Sequence, residues 1–177
     1  MKKNNFLDQF LANHFLNTSL RAHLLVFSLY GMGFVFAWFL KDFYLVNEAS
    51  KDIAFYLIFA AYILVLPLSR MPLVQVMGKG GYNNSNPRAQ QKSLNDEFSI
   101  RASGIHSNFL ESFAPFSVAM IISYVSDCDP RKMATMGITY LILRVLFLLS
   151  YLFNIGFLRS TFWGLANGIV MVLMISH

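Results

Sequence analysis

Long apolar runs alternate with short polar segments along the chain, and this pattern predicts five membrane-spanning helices. The runs lie at residues 24–40, 53–69, 99–126, 133–153 and 160–176. The shortest are near the lower limit of the roughly 20 residues that cross a hydrocarbon core of about 30 Å. Because backbone groups in lipid must be hydrogen-bonded within the protein, the fold is predicted to be an all-α integral membrane bundle.

In the segment before the first span, apolar and polar residues are interspersed. Apolar residues recur there at helical spacing, at Phe6, Leu7, Phe10, Leu11, Phe15 and Leu16. This spacing predicts an amphipathic helix in the membrane interface over residues 1–22, followed by a spanning helix over residues 23–41. Pro67 and Pro72 are predicted to kink or end the second span, and a polar loop follows over residues 78–100.

The composition leaves little room for anything other than a membrane domain. The 177 residues are 56% hydrophobic and 13% charged, whereas soluble domains are about 25% charged. The net charge of +5 comes from basic residues beside the spans, a distribution that encodes membrane topology and does not indicate nucleic-acid binding.

Cysteine and histidine provide no evident catalytic or metal-binding group. Cys128 is the only cysteine, which excludes an intrachain disulfide. Its neighbours Asp127 and Asp129 disfavour a thiolate, so Cys128 is a poor nucleophile. No Cys/His cluster with the spacing of a zinc site occurs, and no metal site is predicted.

Lysine and arginine are divided unequally between the two predicted sides of the membrane. Nine lie on the side of the N-terminus and the 78–100 loop, four lie on the other side, and Arg144 lies within the membrane. Since the richer side is usually cytoplasmic, the N-terminus and this loop are predicted to be inside and the C-terminus outside.

Two charged residues lie inside predicted spans, where a charge costs roughly 2.5–3.5 kcal/mol on insertion scales. They are Glu111 and Arg144. In the third span, five residues share one helix stripe because they are separated alternately by three and four positions. These are Arg101, Gly104, Asn108, Glu111 and Pro115. In the fourth span, a second stripe contains Tyr140, Arg144, Phe147 and Tyr151.

The two stripes are expected to face each other or a neighbouring subunit, with Arg144 neutralising Glu111. One interpretation is a buried ion pair without a ligand. Arg101, Arg159 and Arg88 lie on the same predicted side of the membrane. They favour instead a basic, half-buried pocket that is open to the cytoplasm and binds a small anion.

Three sequence patterns together resemble a known family. They are N-P-R-A at residues 86–89, R-A-x3-H-x-N-x2-E-x-F-x-x-F at residues 101–116, and R-x6-Y at residues 144–151. The combination resembles the MAPEG family, the membrane-associated proteins of eicosanoid and glutathione metabolism, and is most similar to its bacterial members. The resemblance covers about residues 53–177, which would form a four-helix transmembrane domain, and the helix at residues 23–41 is additional to it.

The resemblance implies a homotrimer that binds glutathione as a co-substrate between subunits, near the cytoplasmic face. It implies that Arg101, Asn108, Glu111 and Arg144 bind the substrate. Arg88, from the basic residues on the same predicted side, and Tyr140, from the stripe of the fourth span, are added to the predicted substrate-binding residues. Tyr151 and Arg159 would be the catalytic residues, with Arg159 stabilising the thiolate. Carboxylates suit the arginines and an ammonium suits Glu111, so the chemistry of glutathione agrees with this assignment.

The chain departs from the family pattern at three positions. Gly104 replaces a frequent arginine, Phe147 replaces an aromatic residue with a polar tip, and Ser112 stands where a tyrosine is sometimes found. These changes remove polar groups from the predicted site.

Two hypotheses about function follow. The first is a membrane-embedded glutathione transferase that acts on lipophilic electrophiles from the bilayer, with peroxidase activity toward lipid hydroperoxides as a further option. The second is a non-catalytic lipid-binding or scaffold protein with the same fold. A channel or transporter is disfavoured, since the polar stripe ends near Pro115 and no inverted repeat occurs. The expected location is a bacterial inner membrane.

Overall fold

The structure is a computed structural model that describes residues 6–175, with side chains from residue 22 onward. Its α-helices are α1 (Phe6–Leu40), α2 (Ile53–Ile63), α3 (Ser69–Lys79), α4 (Pro87–Ser93), α5 (Glu97–Val125), α6 (Pro130–Leu152) and α7 (Gly156–Ile175). A π-helical segment, Leu64–Leu68, joins α2 to α3. Within the described residues, five helical stretches are long and apolar enough to cross a bilayer, which confirms the predicted all-α membrane bundle.

Helix α1 joins two segments that the sequence pattern predicts separately. The helix is continuous from Phe6 to Leu40, and its apolar part begins at Ala22. The side chains of residues 6–21 lie outside the described part of the chain, so the interfacial position of that segment stays a prediction.

The second span is longer than the sequence pattern predicts. Pro67 and Pro72 do not end it, since the helix continues to Lys79. Pro67 lies within the π-helical segment, after which the Ser69 N–H donates to the Leu64 carbonyl five residues earlier. A wider turn accommodates a residue that has no N–H of its own.

The hydroxyl of Ser69 connects this irregular turn to α5. It donates to the Val65 carbonyl and lies 3.0 Å from the Nδ1 atom of His106. His106 therefore has a structural partner on the neighbouring helix.

Two tight turns connect α5, α6 and α7. Asp127 and Asn154 follow the C-caps of α5 and α6 with φ values of 55° and 59°. After α5 the Cys128 N–H donates to the Ser123 carbonyl, and after α6 the Ile155 N–H donates to the Ser150 carbonyl. This is the Schellman pattern, and it returns the chain at once into an antiparallel helix.

Aspartates begin α5 and α6. Asp96 accepts from the Ser99 N–H, and the Ser99 hydroxyl donates to the same carboxylate and holds the pKa of Asp96 below its usual value. Asp129 accepts from the Arg131 N–H, and the Arg131 side chain lowers the pKa of Asp129 in the same way. Side-chain caps of this kind satisfy the free N–H groups at helix starts.

Helix α7 packs against α1, α5 and α6, and α2 packs against α5 and α6. Contact between α1 and α7 is close because glycines form it. A Cβ atom on Gly168 would lie 2.0 Å from the Gly33 carbonyl oxygen, and one on Gly164 would lie 2.8 Å from the Leu29 carbonyl oxygen. Gly33 thus permits close helix packing, whereas Gly31 has open space around it.

Candidate functional site

Arg144 is the most deeply buried cation that the structure describes. It lies in the middle of α6 with a relative exposure of 2%. The i, i+4 periodicity of α6 gives Arg144 and Tyr140 the same face, and this face meets α5. An arginine at this depth stays protonated and needs compensating contacts.

Asn108 of α5 provides the only hydrogen bonds to this guanidinium within the described residues. The Nη2 atom of Arg144 donates to the Asn108 side-chain oxygen at 2.9 Å and to the Asn108 carbonyl at 3.3 Å. The two predicted stripes therefore do face each other at this point. Hydrogen bonds to a charged group contribute roughly 1.5–3 kcal/mol each.

Two phenylalanine rings enclose the same guanidinium. The Arg144 Cζ atom lies 4.3 Å from the ring centre of Phe109 and 4.6 Å from that of Phe147. Cation–π contacts of this kind are worth roughly 0.5–2 kcal/mol each when desolvated. Phe147, which lacks the polar tip common in the family pattern, thus stabilises the charge through its ring.

The guanidinium nevertheless keeps unused donors. The Nε and Nη1 atoms of Arg144 are buried and have no hydrogen-bond partner among the described residues. The void that Arg144 lines holds only about 10 Å³, which is about the smallest cavity that can admit one water molecule. A buried charge with free donors and no counter-ion is typical of a ligand site or of an interface with another chain.

Glu111 does not neutralise Arg144, and this expectation is wrong for the single chain. Glu111 is exposed on α5, and the described ion pairs include neither residue. Its carboxylate lies on the surface of the helix bundle, where a neighbouring chain or a ligand can contact it.

The other predicted substrate-binding residues are dispersed. Arg101 pairs with Glu97 at 3.3 Å, and its buried Nε atom has no partner in the described part of the chain. Arg88 is exposed on α4. Tyr140 is buried behind Arg144, where its hydroxyl donates to the Ser112 carbonyl at 3.1 Å and its ring stacks on Phe116 at 3.9 Å.

A second cavity lies beside the Asn108–Arg144 contact. We call it the Asn108 cleft; its volume is about 270 Å³. Its lining residues come from α1, α5, α6 and α7 and are Leu25, Val26, Leu29, Asn108, Phe147, Tyr151, Arg159, Ser160 and Trp163. Asn108 and Phe147 contact Arg144 and also line this cleft, so the buried cation lies directly behind the cleft wall.

The two predicted catalytic residues meet in the Asn108 cleft. The Cζ atom of Arg159 lies 4.7 Å from the ring centre of Tyr151. The turn after α6 brings them together, because it reverses the chain between the end of one helix and the first turn of the next. Arg159 forms no ion pair that the structure describes, so its charge is available to an anion in the cleft.

Gly104 makes room for the Tyr151 hydroxyl. A Cβ atom at position 104 would lie 2.7 Å from that oxygen and 3.3 Å from the Cζ carbon of the ring. The glycine that replaces a frequent family arginine therefore allows the phenol to lie against α5.

The comparison with known families agrees with this architecture. The sequence model of the MAPEG family matches residues 53–176, which is most of the chain and includes every helix from α2 to α7. The chain belongs to the MAPEG family. Neither a curated protein nor a solved structure matches it.

In this MAPEG protein, α1 lies outside the matched region and yet lines the Asn108 cleft. Sequence reasoning missed its contribution, as well as Trp163 and the ring of Phe109. Trp163 could have been found from its position four residues after Arg159 on one helix face. The only sequence feature that indicates packing of α1 against α7 is the glycine pattern, with Gly33 in α1 and a Gly164-x3-Gly168 motif in α7.

The Cys128 thiol lies away from this site, and the described residues contain no metal-binding cluster. Burial raises the pKa of the Cys128 thiol, which lies at the opposite end of α6 from Tyr151. This agrees with the prediction that it is a poor nucleophile. Within the described residues, no group of three or more His, Cys, Asp or Glu side chains could hold a metal ion.

Proposed function

We propose that this MAPEG protein is a membrane-embedded transferase that joins the sulfur of glutathione to lipophilic electrophiles. The observation that carries the proposal is the buried Arg144 guanidinium, which has two unused nitrogen donors beside Asn108. Family membership supports glutathione as the thiol substrate. Reduction of lipid hydroperoxides by the same thiolate is a related reaction of the same site.

The residues match the polar groups of glutathione. The free donors of Arg144 and Arg101 suit its two carboxylates, and the exposed Glu111 carboxylate suits its ammonium. Arg101 and Arg144 lie at different depths, so one extended tripeptide would bridge them. Binding of this kind would orient the thiol toward the Asn108 cleft.

Arg159 and Tyr151 would support the chemical step. A guanidinium near sulfur favours the thiolate over the thiol and so raises the fraction of reactive nucleophile. The thiol proton passes to water, the sulfur forms a bond to the electrophilic carbon, and the leaving group departs with its electron pair. The Tyr151 hydroxyl can donate a hydrogen bond to the sulfur or the leaving group.

A homotrimer in a bacterial inner membrane is the proposed setting. The exposed position of Glu111 and the unused donors of Arg144 support a site that a neighbouring subunit completes. The N-terminus and the 78–100 loop are proposed to face the cytoplasm, where glutathione is available.

A non-catalytic lipid-binding role is the second candidate. The observation that favours it is the void of about 10 Å³ beside Arg144, which does not admit a tripeptide in the single chain. The apolar residues Gly104 and Phe147 also reduce the number of polar contacts. In this case copurified lipid would occupy the Asn108 cleft.

The first test is calorimetric titration of glutathione into the detergent-purified protein. Arg144→Met removes the charge and keeps most of the side-chain volume, so folding should be preserved. We expect glutathione binding and conjugation to be lost in Arg144→Met and in Glu111→Gln. Arg131→Met is the matched control, because it removes an exposed arginine at the other end of the same helix.

Wild-type conjugation in both Arg144→Met and Glu111→Gln would overturn the proposal. No glutathione binding by well-folded wild-type protein would favour the lipid-binding role, and the copurified lipids would then be identified by mass spectrometry.

A further inference from the structure

The additional helix α1 forms one wall of the Asn108 cleft, although it lies outside the matched family region. Leu25, Val26 and Leu29 supply this wall. The opposite side carries the polar groups of Asn108 and Arg159. The cleft is therefore amphipathic, with an aliphatic side from α1 and a polar, cationic side from α5 and α7.

Helix periodicity explains why the cleft lies here. Leu25, Leu29 and Gly33 are four residues apart and share one face of α1. Ser160, Gly164 and Gly168 share one face of α7 in the same way. The two faces touch where Gly33 and Leu29 meet Gly168 and Gly164, and the cleft opens at the next turn, between Leu25 and Ser160.

The wall is held in a fixed position relative to the candidate catalytic residues. Gly33 and Gly168 bring the two backbones into direct contact, so sliding of α1 along α7 would cause clashes. Tyr30 adds an edge-to-face contact with Trp163, with ring centres 4.9 Å apart. Trp163 and Arg159 lie on α7, and their distance from the α1 wall is thereby set by packing.

The wall residues are also accessible to a guest. Leu25 has a relative exposure of 57% and Val26 of 42%, although both lie in a predicted membrane span. A molecule dissolved in the bilayer can thus reach the cleft sideways, between α1 and the body of the bundle.

We propose that Leu25, Val26 and Leu29 bind the apolar chain of the lipophilic ligand and limit its bulk, while its polar end lies at Arg159 and Asn108. This inference rests on the proposed function only in naming that ligand as the second substrate. A cleft of about 270 Å³ is slightly smaller than typical drug-sized pockets, so it suits one unbranched chain.

Fluorescence of Trp163 can report whether the cleft is occupied. The chain has 2 tryptophans, so Trp38→Phe leaves Trp163, in the cleft lining, as the single emitter. The probe is a 1-iodoalkane, because iodine quenches tryptophan on contact and the same molecule is an electrophile. Titration without glutathione measures binding alone. Iodide release after glutathione is added measures formation of the sulfur–carbon bond.

Substitutions in the α1 wall can either narrow or widen the cleft. We expect Leu25→Phe and Leu29→Phe, which narrow the cleft, to weaken saturable quenching by 1-iodooctane about tenfold, as one misfitting group does in an apolar pocket. Leu29→Ala, which widens the cleft, should improve binding of a branched iodoalkane. Leu24→Phe is the matched control, since Leu24 has the same exposure of 57% as Leu25 and does not line the cleft.

The outcomes separate the two proposals. Quenching that does not saturate, or that is the same in Leu25→Phe, Leu29→Phe and Leu24→Phe, overturns the role of α1, whether or not iodide is released. Saturable quenching that depends on Leu25 and Leu29 without iodide release overturns the transferase and retains α1 as the wall of a lipid-binding cleft.

Discussion

At the scale of single residues, helix periodicity predicts which side chains share a stripe. It does not predict which of them face the neighbouring helix and which lie at the outer edge of the stripe. The spacing correctly brings Asn108 and Arg144 together. Glu111 is three residues beyond Asn108, which at about 100° per residue places it about 60° to one side. That edge of the stripe faces outward, and Glu111 is exposed for this reason. Only the packing angle of α5, which the sequence does not contain, decides this.

The compensation of the Arg144 charge also lies beyond sequence patterns. A buried arginine predicts a carboxylate partner by default, whereas two aromatic rings and one amide provide the contacts here. In the sequence, Phe109 has no feature that distinguishes it from a lipid-facing or core residue, and Phe147 is notable only for the polar group that it lacks. Their role depends on the contact between two helices.

Gly104→Ala tests whether the position of the Tyr151 phenol matters. Alanine normally stabilises a helix interior by roughly 0.5–1 kcal/mol relative to glycine, so the fold should remain intact. The new Cβ would lie 2.7 Å from the Tyr151 oxygen and would displace it. Since a displacement of about 1 Å in a catalytic group can cost 10²-fold, we expect at least about a tenfold loss of kcat with little change in Tm.

Gly31→Ala is the control for this prediction, because a Cβ atom there meets open space. Conjugation rates that are equal in the two variants would show that Tyr151 acts neither directly nor by its position.

At the scale of elements, capping and turn residues make the helix boundaries largely readable. Asp96 and Asp129 begin α5 and α6, and the residues after each C-cap close the turns. The prediction that Pro67 ends the second span fails because the surrounding helix accommodates it in a wider turn. The Ser69 hydroxyl and His106 support a π-helical turn that lets the helix continue through it.

Gly168→Ala tests the attachment of α1 to α7. Its Cβ would meet the Gly33 carbonyl carbon at 1.9 Å, and a backbone atom cannot move aside as a side chain can. The helices must separate, which we expect to cost about 1–3 kcal/mol, as overpacking typically does. The Tm in detergent should fall, and the Trp163 emission should shift as Tyr30 moves away. Unchanged values of both would contradict the close contact, and Gly31→Ala again serves as the control.

At the scale of the whole molecule, composition and hydropathy determine most of the architecture. The five predicted spans correspond to the five helical stretches within residues 6–175 that can cross a bilayer. Where α1 lies could not be predicted from hydropathy, since an apolar helix can pack on any apolar face. The glycine motif of α7 is the feature that selects its neighbour.

Orientation in the membrane is predicted from the unequal distribution of lysine and arginine, nine against four. The parallel packing of α1 and α7, in which Leu29 lies against Gly164 and Gly33 against Gly168, agrees with an odd number of spans.

In a Cys128→Ser background, we expect an impermeant maleimide added to sealed right-side-out vesicles to label Asn47→Cys and not Ser85→Cys. Both positions are exposed, so differences in burial do not confound the comparison. The reverse pattern would place the 78–100 loop, and with it the end of the bundle that carries Arg101 and Arg159, on the outer side of the membrane. Glutathione made in the cytoplasm could then not reach the proposed site directly. This labelling experiment therefore also tests the choice of thiol substrate.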